Sequence, residues 1–178
     1  MWLIVNLLFS FILSENQVYM CSKGHVKFES STALETIIAE SRMLRGVLNP
    51  TTNQFHFAVQ FSSFKGFNSP LQKEHFLENY VESSNFPEVK FSGRVIEDID
   101  FNKNNTCEVR AKGLLQLHGI SNDVIIHSKL TIKSVHEISI ESDFNINLPD
   151  YKIKIPRLEH KKLAEKIVVH VQCTLTKS

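Results

Sequence analysis

Cysteine is scarce in this chain: Cys21, Cys107 and Cys173 are the only three in 178 residues. That number cannot build a disulfide framework, so the fold must rest on a buried core, and the length is sufficient for one. Six glycines and five prolines exclude a collagen-like or low-complexity chain. Neither sign of charge dominates, since 20 Lys and Arg face 19 Asp and Glu for a net +1. The charges are interspersed, with no basic stripe to mark a nucleic-acid partner and no acidic tail. No apolar run reaches the roughly 20 residues of a membrane-spanning helix. Trp2 to Leu13 has instead the length of a signal-peptide core. We expect a leader over residues 1–22, cut between Ser14 and Ser22, and an exported mature domain over residues 23–178. The flanks depart from the pattern, because no Lys or Arg precedes the run and no small-x-small site follows it. A buried N-terminal strand is the alternative. Cys21 lies at this boundary, but Val18-Tyr19-Met20 lacks the small residues that precede a lipidated cysteine, so lipidation is not favoured.

Catalytic signatures are missing as well. No GxSxG, GxGxxG, P-loop or HExxH motif occurs. The eight His do not pair at metal-ligand spacing, so surface or hydrogen-bonded roles are expected for them. Asn104-Asn105-Thr106 has the form of a glycosylation sequon, but its neighbours read as turn chemistry.

Phenylalanine is what the chain has in excess: 13 Phe against one Trp and three Tyr. Phe has no polar tip to satisfy and so suits a dry interior. Period-2 alternation recurs along the chain, while helical periodicity is confined to one segment. Val26 and Phe28 face one way in a first strand. Leu34 to Asn49 makes one long bent strand or two short ones. Phe55, Phe57, Val59 and Phe61 share a face in the next strand. Val89, Phe91, Gly93, Val95, Ile99 and Phe101 follow, then Cys107 to Leu117, Val124 to Ile132, Ile138 to Ile146 and Ile167 to Leu175. A loop from Leu148 to Lys162 holds Pro149 and Pro156. The helical segment runs from Ser69 to Val81, with Ser69 as N-cap, Pro70 at the first helical position and Gln72 completing a capping box. Eight or nine strands with short connections make antiparallel neighbours. Faces that are apolar on one side and charged on the other must close around a single core. The expected fold is therefore all-β, an eight-stranded antiparallel barrel with one short helix, whose interior is either filled or holds one ligand.

Gly93, Ala111 and Gly113 are small residues on inward faces. They are either bends at barrel corners or room for a guest. With a guest, the walls are Phe55, Phe57, Phe61, Phe91 and Phe144 with Leu115, and Phe67, Phe76 and Tyr80 belong to the link and helix that cover the mouth. Composition alone leaves core and pocket both open. Polar groups at the mouth are sought among Asn79, Tyr80, Arg110 and His118. A hydrolase would need Ser128 or Ser142 beside His56 or His118. Cys107 and Cys173 both face inward, as free thiols or as a disulfide.

One set of motifs resembles a known family. Phe64-Lys65-Gly66-Phe67, Glu74-His75-Phe76, Glu78-Asn79-Tyr80, Phe86-Pro87 and Phe91-Ser92-Gly93 look like the YceI-like family, as do Gly113-Leu114-Leu115, Leu117-His118-Gly119-Ile120, Ser142-Asp143-Phe144, Asp150-Tyr151 and Ile155-Pro156. The likeness runs from His25 to Leu175. It implies a lipocalin-like barrel closed by a helix, export to the periplasm, and non-enzymatic binding of a polyisoprenoid lipid or isoprenoid quinone without metal or cofactor. A homodimer is carried as a further option. The chain departs from the family at Ile120-Ser121-Asn122-Asp123-Val124, where many relatives have a Thr-Lys-Pro-like turn, so the head group is left open.

Overall fold

In the computed structural model, which describes residues 17–155 and 163–178, eight strands pair in chain order and the last returns to the first, closing a barrel. They are β1 (Tyr19–Ser31), β2 (Thr36–Leu48), β3 (Gln54–Gln60), β4 (Glu88–Val95), β5 (Asn105–Leu117), β6 (Ile120–Ser134), β7 (Glu137–Asn147) and β8 (Lys166–Lys177). Every neighbouring pair is antiparallel. Alternation explains why. On β5, Val109, Ala111, Leu115 and Leu117 are buried while Glu108, Arg110, Lys112 and Gln116 are exposed, which only a closed sheet around one core can satisfy. β2 is one unbroken strand, and β4 stops at Val95, short of Ile99 and Phe101.

The apolar run from Trp2 to Leu13 and Pro156 lie outside the described residues. The barrel begins ahead of residue 23, because β1 starts at Tyr19. Tyr19 is 1% exposed, packs tilted against Phe101 with ring centroids 5.8 Å apart and donates its hydroxyl to the Val135 carbonyl at 2.9 Å. Residues 19–22 are thus part of the barrel wall.

The two ends of the barrel differ. At one, Tyr19, Leu48, Ile132, Ile138 and Leu175 are almost fully buried and Phe101 packs among the core, so this end is plugged. At the other, two ladders part. β2 pairs with β3 only from Arg45–Ala58 to Leu48–Phe55. Beyond that, the segment after β3 lies against β2 instead, through paired hydrogen bonds between Glu40 and Lys65 of 2.8 Å each. β6 and β7 part beyond Lys129–Glu141. The turn Leu148–Tyr151 serves this second fork, where Asn122 donates to the Asp150 carbonyl at 3.0 Å and Tyr151 is buried.

Gly93 and Gly113 are registered opposite each other on β4 and β5. A Cβ on Gly93 would lie 2.1 Å from the Lys112 carbonyl oxygen and 2.5 Å from Gly113 Cα; one on Gly113 would lie 2.2 Å from the Ser92 oxygen. These glycines therefore permit two backbones to approach and do not open room for a guest, which corrects one of the two expectations above. Gly46 plays another part: its missing Cβ leaves space for the Phe57 ring across the ladder, where an added carbon would stand 2.1 Å from that ring. We predict that Gly93→Ala and Gly113→Ala each destabilise the barrel by about 3 kcal/mol or more, at the upper end of overpacking effects. Urea unfolding checks this; an unchanged midpoint would mean that the strands have slack.

Candidate functional site: an apolar cavity

The open end is covered by a single helix. α1 (Pro70–His75) starts as its sequence predicts, with Ser69 Oγ accepting from the Gln72 amide at 3.1 Å and Pro70 at the first position. The return arm of the box lands one residue early, since the Gln72 side chain accepts from the Asn68 amide at 2.9 Å. After His75 the helix widens into a π turn over Phe76–Tyr80, and the Val81 amide bonds back to the Phe76 carbonyl at 3.0 Å. This widened turn brings Phe76, Leu77, Tyr80 and Val81 against the core. Phe76 meets the rings of Phe28 (5.4 Å, stacked), Phe61 (5.8 Å), Phe64 (6.2 Å) and Phe67 (5.1 Å).

Beneath this cluster lies a cavity of about 220 Å³. Phe55, Phe57, Phe61, Phe91, Ala111, Leu115 and Phe144 line it from the strands, and Phe67, Phe76 and Tyr80 from the link and helix; Gly93 and Gly113 do not. Phe55 and Phe91 pack at 4.8 Å on one wall. The lining also includes Val26, Phe28, Ile37, Leu44, Phe64, Ile126, Val169 and Val171, which sequence reasoning left out of the site. Their signal was present as inward parity on β1, β6 and β8, but parity marks every core position alike.

Polar groups at the cavity wall are few: Gln72, Tyr80, Ser128 and Ser142. Ser142 donates to Ser128 at 2.6 Å, both buried at the fork between β6 and β7. Spending one hydroxyl on the other lets an apolar interior keep the pair at little cost. The serine–histidine pairing that a hydrolase would use is not formed. His56 stands on the outer face, and His118 donates through Nδ1 to the Tyr151 carbonyl at 3.0 Å. Its Nε2 stands 3.3 Å from the Glu82 carboxylate without a hydrogen bond. Among the described residues no serine hydroxyl is hydrogen-bonded to a histidine ring, and no group of His, Cys, Asp and Glu is arranged to hold a metal.

Of the polar residues sought at the mouth, Tyr80 reaches the cavity and Asn79 is exposed. Arg110 is elsewhere, on the outer face of β5, with its guanidinium 2.7 Å and its amide 2.6 Å from the Glu97 carboxylate. These bonds, the amide first, hold the Glu97 carboxyl below the usual range. Cys107 on β5 and Cys173 on β8 are separated by β6 and β7. With about 4.8 Å per strand spacing they are too far apart for a disulfide.

No curated protein matches the sequence. Among solved structures, a polyisoprenoid binding domain from Saccharophagus degradans implicated in plant cell wall breakdown superposes with a TM-score of 0.77 at 12% identity, over 92% of this chain and 99% of that one. BcnA of Burkholderia cenocepacia gives 0.69 at 8% identity, over 85% and 95%. The YCEI protein of Campylobacter jejuni gives 0.59 at 12% identity, over 79% and 84%. At such identities the likeness concerns the fold. The sequence itself matches the family model of the YceI-like domain over residues 20–175. That span runs from the second residue of β1 to near the end of β8, and with it the chain belongs to the YceI-like family.

Proposed function

We propose that the barrel binds a polyisoprenoid lipid or an isoprenoid quinone by its tail, in an exported and non-enzymatic protein that carries or stores it. The observation that supports this most is the cavity, whose wall is hydrocarbon apart from a glutamine, a tyrosine and a self-paired couple of serines. An isoprenoid tail contributes about 0.8 kcal/mol for each methylene-sized group it buries. Such a wall recognises length and flexibility more than functional groups, so affinity comes with modest chemical discrimination. The polyisoprenoid binding domain that shares the fold lends further support.

A barrel filled solid and acting through its surface fits less well. A void of about 220 Å³ exceeds the roughly 150 Å³ apolar cavities that stay dry and take up benzene. It lies below the roughly 300–1,000 Å³ of typical ligand pockets, so a long tail enters fully only if α1 and Phe76 give way. A hydrolase fits poorly too, because the buried serines have no base beside them.

Organic extraction of protein purified from membrane-containing cells, followed by mass spectrometry, is expected to release a long isoprenoid chain. Repeated extraction without lipid would count decisively against the proposal. Ala111→Phe projects a ring into the cavity and should weaken binding of a polyprenyl chain tenfold or more, about 1.4 kcal/mol, as read by quenching of tyrosine fluorescence. Phe76→Ala removes the ring that holds the helix. It should lower stability by about 3 kcal/mol and speed release of a bound chain, measured by stopped-flow transfer to vesicles.

A further inference from the structure

Two of the three free cysteines lie against each other. Cys21 is in β1 and Cys173 in β8, at the seam where the first strand meets the last. They are 6% and 5% exposed, and the Cys21 thiol reaches the Leu44 carbonyl at 3.7 Å. The place that a Cβ on Gly24 would take is 2.8 Å from Cys173 Cβ and 3.0 Å from Cys21 Sγ, so a glycine at that position is what allows the approach.

The ladder is interrupted at this point. β1 and β8 pair at Tyr19–Lys177 and Met20–Thr176, then resume only at His25–Gln172. On the other side of β1, the register with β2 shifts between Cys21 and Gly24 and again between Gly24 and Val26. A bulged segment has freedom that a regular ladder lacks. It can adjust to the Cβ separation of about 3.8 Å and the near-perpendicular torsion that a sulfur–sulfur bond requires. Cys173 also borders both the inner cavity and an outer groove formed with Lys23, His25 and Gln172, so it stands between the interior and solvent.

We propose that Cys21 and Cys173 are a disulfide site that staples the barrel seam when the chain meets an oxidising disulfide. Cys21 is the attacking sulfur. The neighbouring Cys173 thiol lowers it to about 6 against the opposing effect of burial, with the Lys23 and Gly24 amides adding to the effect. The Cys21 sulfur beside it, together with burial, raises Cys173. The Cys21 thiolate attacks one sulfur of a small-molecule or protein disulfide. The oxidant's sulfur–sulfur bond breaks, one half leaves as a thiolate, and the other half stays on Cys21 as a mixed disulfide. Cys173 gives up its proton and attacks the Cys21 sulfur, and the second half leaves. Two protein thiols are oxidised by two electrons, and one external disulfide is reduced to two thiols that take up the two protons. The bond closes a loop of nearly the whole chain, the case in which a crosslink restricts the unfolded state most. Cys107, with β6 and β7 between it and Cys173, takes no part.

The purified full chain is incubated with oxidised glutathione, unfolded, alkylated and mapped by mass spectrometry. The expected map has the Cys21 and Cys173 peptides joined and Cys107 alkylated. Adding reductant is expected to lower the melting midpoint of the oxidised protein by about 10 °C or more. Cys107→Ser should leave both results unchanged, and Cys21→Ser should abolish both. Three alkylated cysteines after oxidation, a glutathione adduct on Cys21 with no crosslink, or a bond to Cys107 would each overturn the assignment. The map of the unsubstituted protein decides the matter even if Cys21→Ser does not fold.

Discussion

The ring of Phe76 holds the open end of this barrel together. β2 and β3 share only a short ladder before they part, and a sheet that opens leaves an unpaired edge and an uncovered core. The edge is met by the chain itself, through the Glu40–Lys65 bridge. The core is covered by aromatic side chains that converge on one another. Phe61 and Phe64 come from the link, Phe28 from β1 and Phe76 from the helix. Edge-to-face and offset contacts of this kind add to the burial of each ring. They also explain the π turn, because an ordinary α turn would carry Phe76 and Tyr80 round at a different angle from the one the cluster requires.

A cavity persists under this cover because the rest of the fold cannot collapse into it. The far end is plugged by nearly inaccessible side chains. The wall at β4 and β5 is already as close as two backbones can come, with glycine facing glycine. The second fork, between β6 and β7, is pinned by a pair of hydroxyls and filled by the turn that carries Tyr151. What remains is a space bounded mostly by phenylalanine and branched aliphatic side chains, with few polar groups to hold water in place.

Much of this was legible in the sequence. Period-2 alternation placed the strands and their inward faces, and Ser69, Pro70 and Gln72 announced the helix, because these signals are local. The same parity named most of the cavity wall. Other features depend on which residue faces which across a ladder, and no local pattern carries that. Gly93 and Gly113 looked like spare volume until their register made them partners. Cys173 was weighed against Cys107, whereas the residue beside it is Cys21, some 150 positions away in the chain and at the opposite end of the strand order. The start of β1 has no local signal either, because Tyr19 is held by Val135 and Phe101, both far along the chain.

The pairing of β1 with β8 also governs how this molecule comes into being. A barrel whose first and last strands are neighbours cannot close until the final strand has been made. Until then β1 and β7 each offer a bare edge, and the greasy interior is open along one side. Contacts so distant in sequence form slowly. During that interval the growing chain is most exposed to pairing with the wrong partner. Closure of the seam is therefore the committing event in folding, and whatever strengthens it shortens the period of greatest vulnerability.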